Sequence, residues 1–261
     1  MAVARNAAQM AGKLLKENIH GTREIKHKGE IDLVTEMDTR SERVVVEMLR
    51  TAFLDHNIIA EEETNIRNGS DFTWIIDPLD GTTNYAHGYP CFSVSIALEQ
   101  NGEIVLGVVY DPMRNEMFSA RKGEGADLNG RPIRVSDVDR LINSLLATGF
   151  PYDRKANGKN NIEYFENMLM ASQEVRRDGS AALDLCSVAC GRFDGFWELK
   201  LKSWDVAAGS LIVGEAGGMV SDLSGSKFNI HDGDILTSNG NIHDQMLDIL
   251  RETGKRSPLQ Y

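Results

Sequence analysis

Apolar residues recur at three- and four-residue spacing at Val3, Ala7, Met10, Ala11, Leu14 and Leu15, which predicts an amphipathic first helix ending near residues 18–21. Residues 22–31 are polar and read as a loop or hairpin. Thr39-Arg40-Ser41-Glu42 has capping-box spacing, and Val44, Val45, Met48, Leu49 and Ala52 carry a second helix from it, with Asp38 just ahead of the start. Short apolar runs at 58–60 and 72–76 predict strands, and both lead straight into acids. Phe92, Val94, Ile96 and Leu98 alternate with smaller residues as a one-faced strand, and 104–110 and 116–120 extend the sheet to a glycine-rich turn at 123–130. Beyond a boundary expected near 136–141, strands at 145–148, 193–197, 219–221 and 235–237 mix with helices at 161–172, from Gly179-Ser180 to 189, from Asp205 to 216, and at 242–250. This divides the chain into lobes of 1–140 and 141–261 that form one continuous catalytic unit. Alternating helices and strands make the class α/β (α+β).

Composition narrows the chemistry. The 261 residues are 41% hydrophobic, enough for a substantial core. The formal net charge of −11 repels nucleic acid phosphates, which argues against general nucleic acid binding and against a nuclease. It also repels a phosphorylated substrate, so a phosphatase here needs cations at its site. Cys91, Cys186 and Cys190 are too few for a disulfide framework and read as small core residues. With no signal-peptide pattern near Met1 and no membrane-length apolar run, the expected location is the cytoplasm.

The segment Trp74-Ile75-Ile76-Asp77-Pro78-Leu79-Asp80-Gly81-Thr82-Thr83-Asn84 carries the strongest chemical signal. A buried strand ends on Asp77, Pro78 breaks the ladder, and Asp77 and Asp80 can converge with the Leu79 carbonyl. These hard oxygens suit Mg²⁺ or Mn²⁺. A helix starting at Gly81-Thr82-Thr83 would offer free N–H groups to phosphate. The same residues could form only a turn with a capping Asp. Asp205 could equally be an N-cap, Glu61-Glu62-Glu63 a solvated turn, Gly179-Ser180-Ala181 a packed cap, and Arg176 and Arg177 surface ion pairs.

In chain order Glu61-Glu62, the 74–84 segment, Gly179-Ser180-Ala181-Ala182 and Trp204-Asp205-Val206-Ala207-Ala208-Gly209 resemble the inositol monophosphatase family from about residue 2 to 250, and Gly191-Arg192-Phe193-Asp194-Gly195-Phe196-Trp197-Glu198 with Gly214-Glu215-Ala216-Gly217-Gly218 is similar to its bacterial branch. The resemblance implies a layered αβαβα sandwich of the inositol monophosphatase / fructose-1,6-bisphosphatase type, a homodimer, and two or three Mg²⁺ per active site, with Mn²⁺ a possible substitute and inhibition by Li⁺. By motif position Glu61, Asp77 and the Leu79 carbonyl hold one metal, Asp77, Asp80 and Asp205 a second, and Glu61 a weaker third. Asp38 pairs with the activating Thr82, which orients water together with Glu61. Gly81, Thr82 and Thr83 hold phosphate, while Gly179, Ser180, Ala181 and Glu198 line the substrate pocket. Glu62, Lys28 and Arg176 are further possibilities.

The implied reaction is hydrolysis of a small phosphorylated polyol, myo-inositol monophosphate foremost, by metal-activated water. Sibling phosphatases acting on fructose-1,6-bisphosphate, histidinol phosphate or a 3′-phosphoadenosine nucleotide share the metal motif. A regulatory protein associated with RNA or transcription on the same fold is the non-catalytic alternative.

Overall fold

A computed structural model describes residues 1–21, 25–27, 33–156 and 158–253, with backbone only at 25–27 and 33–34. The first elements are helix α1 (Ala2–Asn18), a small antiparallel hairpin of β1 (Ile25–His27) and β2 (Leu33–Thr35), and helix α2 (Glu36–Ala52). Strands β3 (Asn57–Ala60), β4 (Asn65–Ile66) and β5 (Phe72–Asp80) follow, then the short helix α3 (Thr82–Ala86). Next come β6 (Ser93–Gln100), β7 (Glu103–Asp111), β8 (Glu116–Arg121), β9 (Gly125–Leu128) and β10 (Arg131–Pro132). The remainder is β11 (Leu145–Thr148), α4 (Ile162–Ala171), β12 (Glu174–Arg176), α5 (Ala181–Ala189), β13 (Gly195–Glu198), α6 (Ser203–Glu215), β14 (Met219–Ser221), β15 (Ile235–Ser238) and α7 (His243–Glu252).

Two sheets organise these elements. The first has eight strands in the order β10-β9-β8-β7-β6-β5-β3-β4, the second five in the order β12-β11-β13-β15-β14. Alternation along single strands explains the layering. Trp74 and Ile76 of β5 pack toward α1 and α2, while Ile75 between them packs toward α5 and α6. In the second sheet Ala147, Phe196 and Ile235 face the α5/α6 layer, and their neighbours Leu146, Trp197 and Leu236 face α4 and α7. The result is an αβαβα sandwich whose middle helical layer is apolar on both faces. The three cysteines are free and belong to or pack on that middle layer.

Four expectations change. The α2 capping box is Thr35 with Asp38, not Thr39 with Glu42: Thr35 N–H donates to Asp38 Oδ2 at 2.8 Å and Met37 N–H to Thr35 Oγ1 at 3.1 Å. Asp38 therefore sits inside the first turn, and Glu42 is released for a tertiary contact. Pro78 does not end β5; pairing with β6 lapses after Asp77↔Ser95 and resumes at Asp80↔Ser93, so proline sits in a bulge. The glycine-rich 123–130 stretch holds β9 between its turns. Asp205 lies two residues inside α6 rather than at its cap. The expected loop lysine, Lys28, lies outside the described residues.

Candidate active site

The bulge in β5 places the first two acids. Residues three apart on a regular strand point to opposite faces, and the bulge re-aims one of them so that Asp77 and Asp80 line the same cleft. Strand β3 runs parallel to β5 with Ala60 opposite Ile76, so the next residue, Glu61, lies beside Asp77; Glu61 N–H donates to the Ile76 carbonyl at 3.2 Å. Within the acid triplet Glu61 lines the cleft and Glu63 is exposed. Helix α6 brings in Asp205. Ser95, the residue paired with Asp77, donates its hydroxyl to the Trp204 carbonyl at 3.3 Å, and Lys202 N–H donates to Asp205 Oδ2 at 2.6 Å.

Asp80 is anchored from the opposite side. Its Oδ2 accepts the Ser180 hydroxyl at 2.5 Å and the Ala182 N–H at 2.9 Å, at the start of α5. Ser180, expected on the pocket wall, is buried and caps α5 while holding Asp80. Its neighbours Gly179 and Ala181 line a small recess of ≈ 100 Å³ together with Thr83, Arg177, Asp184 and Glu198. The recess adjoins the main cleft of ≈ 520 Å³. Thr82 Oγ1 lies 2.9 Å from Asp38 Oδ1 and 3.0 Å from the Leu79 carbonyl. Gly81 has φ +95°, and a Cβ there would stand 3.0 Å from the Cys91 carbonyl, so both conformation and space call for glycine. Gly149 serves similarly for Glu198, whose carboxylate occupies the place of a Cβ on it.

The electrostatics of the cleft are those of crowded acids. Burial pushes Asp77 well above the usual carboxylate range, and Glu61, Asp80 and Asp205 add to the shift. Desolvation and then the Asp80 charge raise Asp205 to about 7, although the Lys202 N–H and the Asp77 carboxyl, near enough to share a proton, pull it back. Glu198 rises to about 8 through desolvation first and Asp205 second, with Arg177 opposing. Burial also raises Asp38, Asp80 and Asp184.

Among the described residues no three His, Cys, Asp or Glu side chains stand as a ready-made metal cage. Oxygens are committed elsewhere: Asp77 Oδ1 accepts Leu79 N–H at 3.0 Å, and Asp80 Oδ2 holds α5. The donor set nevertheless fits a hard divalent cation. It is all oxygen, it comes from three segments around one cleft, and its mutual repulsion is what a cation would relieve. A larger cleft of ≈ 720 Å³ at the far end of α6 has no such tension, since its Glu103 is exposed and paired with Lys122 at 2.6 Å.

Further residues line the site. Arg177, rather than Arg176, faces the recess; Arg176 is exposed and lies 3.7 Å from Glu174. Asp184 is buried in the first turn of α5, and Phe150 and Tyr152 wall the main cleft. Asp184 shares the helical spacing of an ordinary core face, and only the position of Glu198 gives it meaning.

An αβαβα sandwich with buried acids converging from both sheets defines a phosphatase-type hydrolase when set beside known proteins. The chain belongs to the inositol monophosphatase family, whose model matches residues 1–255. It is 45% identical over 253 residues to inositol-1-monophosphatase from Synechocystis, covering 96% of this chain and 88% of that one. It is 42% identical over 253 residues to Nus factor SuhB from Escherichia coli K12, covering 96% and 95%. The solved inositol monophosphatase of Anabaena superposes with a TM-score of 0.89 at 45% identity, over 97% of this chain and 95% of the other.

Proposed function

We propose that the chain hydrolyses a small phosphorylated polyol, myo-inositol monophosphate foremost, with Mg²⁺ as cofactor and Mn²⁺ as a substitute. The carrying observation is the convergence of Glu61, Asp77, Asp80 and Asp205 on one cleft next to the Thr82–Asp38 pair. The Leu79 carbonyl, 3.0 Å from Thr82 Oγ1, completes the proposed metal ligands, and Glu62, next along the chain from Glu61, is a further possibility. When bound, divalent cations lower the pKa of a ligated water and neutralise phosphate charge.

The protein groups do the positioning. Asp38 Oδ1 accepts the Thr82 hydroxyl, leaving lone pairs on Oγ1 to accept a hydrogen bond from an attacking water and orient it, with Glu61 beside it. Gly81, Thr82 and Thr83 present the phosphate-facing backbone. Glu198, whose carboxyl burial holds above the usual range, lines the recess with Gly179 and Ala181, where it can hydrogen-bond a substrate hydroxyl. Acids from 1–140 and 141–261 meet in the cleft, which supports treating both as one catalytic unit. The family resemblance supports a homodimer, and the three free cysteines support a cytoplasmic setting.

Phosphate release from inositol 1-phosphate, fructose-1,6-bisphosphate, histidinol phosphate and a 3′-phosphonucleotide, each with Mg²⁺ and with or without Li⁺, tests this reading. Highest kcat/KM on inositol 1-phosphate with Li⁺ inhibition supports it; the same preference for another ester moves the assignment to that sibling, and no Mg²⁺-dependent release from any ester overturns it. A second reading, a role in transcription, is favoured by relatives named Nus factor SuhB. Retained binding to transcription complexes by an inactive Asp77→Asn protein would separate that role from hydrolysis.

A further inference from the structure

One face of α2 touches three separate pieces of the site. Asp38, Ser41 and Glu42 are spaced three and four apart, so they share a side of the helix, and all three are buried. Asp38 takes the Thr82 hydroxyl at 2.9 Å. Ser41 donates to the Pro78 carbonyl at 2.6 Å, inside the bulge that separates Asp77 from Asp80. Glu42 reaches furthest. Its Oε2 accepts Glu62 N–H at 2.9 Å, and its Oε1 accepts Glu63 N–H at 3.1 Å, Thr64 N–H at 2.8 Å and the Thr64 hydroxyl at 2.7 Å.

These four bonds account for the conformation of the turn directly after Glu61. The three successive N–H groups at 62–64 aim at one carboxylate instead of at water or a sheet partner. A buried acid that no ion pair balances among the described residues is costly to keep unless its lone pairs are filled, and here backbone donors fill them. Glu62 is the first residue so held, so the bond to its N–H fixes the peptide that carries Glu61. With Ser41 on the bulge and Asp38 on Thr82, a single rigid helix registers the segments whose oxygens line the cleft.

We propose that Glu42 is a positioning residue for the metal-binding acids: it sets the Glu61 turn relative to Asp77 and Asp80, and so sets divalent-cation affinity without touching substrate. The proposal rests on the metal reading above and adds to it a residue outside the cleft. Glutamine at 42 keeps the shape but turns an amide donor toward backbone donors, breaking the fork.

The test is Mn²⁺ binding to the substrate-free protein, followed by loss of the free-ion electron paramagnetic resonance signal, alongside phosphate release at graded Mg²⁺. Glu42→Gln should weaken Mn²⁺ binding about tenfold and raise the Mg²⁺ needed for half-maximal rate in parallel, as loss of outer support for a ligand does. Its KM for substrate at saturating Mg²⁺ should stay within twofold of the parent. The exposed neighbour Glu63→Gln should bind Mn²⁺ like the parent. Thr64→Val removes only the hydroxyl bond and should show a smaller shift in the same direction; it carries the test if Glu42→Gln does not fold. Unchanged Mn²⁺ affinity in folded Glu42→Gln, or in Thr64→Val where Glu42→Gln does not fold, overturns the proposal. Asp77→Asn separates the two ideas: if it binds Mn²⁺ and turns over like the parent, the metal reading itself fails, whereas if only it is impaired, Glu42 alone is misassigned.

Discussion

Two of the buried polar clusters among the described residues solve the problem of burial in opposite ways. In the second sheet, Asp194 takes the Ser136 hydroxyl at 2.5 Å and Leu145 N–H at 2.7 Å, while Asn239 donates to Ser136 and to the Val138 carbonyl at 2.9 and 2.8 Å. Nearby His243 lies between two serine hydroxyls. Each group there has a partner of the complementary kind. In the cleft, Asp77, Asp80, Asp205 and Glu198 face one another, and the shifts of Asp77, Asp205 and Glu198 are enlarged by like charge. Satisfied polar groups hold a fold together; crowded like charges are a cost that bound protons or a cation must relieve. The contrast separates a structural cluster from a working one without reference to any relative.

The largest effect expected from breaking this contrast is at Asp77. Asp77→Asn keeps the shape, removes a proposed metal ligand and relieves repulsion. Mg²⁺-dependent phosphate release should fall by at least about a hundredfold, the upper end of what losing mere outer support costs. Thermal unfolding in a chelator at pH 8 should nevertheless occur at a higher temperature than in the parent. A variant that loses activity and stability together would put Asp77 in the structural class.

The pH dependence should follow the same division. Asp205 and Glu198 hold protons in the folded chain up to about 7 and about 8, against ordinary values of 3.8 and 4.5. Between those limits the folded state carries more protons than the unfolded one, so stability falls as pH rises from about 4 to about 8. A divalent cation competes with those protons, so Mg²⁺ should raise Tm more at pH 8 than at pH 5. An equal Mg²⁺ increment at both pH values, read by scanning calorimetry, would contradict the picture of a cleft held by shared protons.

The sequence made the Asp77–Asp80 turn legible because its parts are contiguous: strand, proline, two acids, glycine. It left Asp205 ambiguous, since the same residue in the first turn of a helix is an ordinary capping acid; only Ser95, paired with Asp77 and bonded to Trp204, brings it across. The start of α2 was misplaced by four residues because two capping-box patterns overlap, and the true one, Thr35 with Asp38, is chosen when Glu42 is drawn away to the Glu61 turn. Asp184 and Gly149 had no local signature, and the local patterns of Glu42 and Arg177 read as a capping box and a surface ion pair. Their meaning lies in what stands opposite them, at separations of up to about twenty residues for Glu42 and more for the pairing of Gly149 with Glu198.

On the structural side, Asp194→Ala should leave Leu145 N–H and Ser136 without their acceptor in a buried place. A cost of about 2–3 kcal/mol is expected, which for a chain of this size lowers Tm by roughly 5–10 °C. The kcat of the folded fraction and its Mg²⁺ requirement should be those of the parent. A changed Mg²⁺ requirement would mean that the two clusters are coupled through the second sheet, and the contrast would need redrawing.

The smallest effect, and the one of opposite sign, belongs to His243. The Ser221 hydroxyl donates to the Asp222 carbonyl at 2.7 Å, so its oxygen accepts from Nε2–H at 2.9 Å. Gly240 N–H donates to Ser238 Oγ at 3.0 Å, which leaves the Ser238 hydroxyl to donate to Nδ1, also at 3.0 Å. The network thus assigns a neutral ring protonated on Nε2. Burial holds its pKa below the usual 6.5, with Asp244 pulling weakly the other way. Below that value the unfolded chain takes up a proton that the folded chain refuses. The contribution of His243 is therefore complete above about pH 6.5 and is lost as pH falls toward the folded pKa, with a slope of at most about 1.4 kcal/mol per pH unit. Chemical denaturation of the parent and of His243→Asn between pH 7 and pH 5 should show the variant less stable at pH 7 yet flatter toward acid. Parallel curves would mean that another group carries the acid slope, and that His243 holds its two serines without titrating against them.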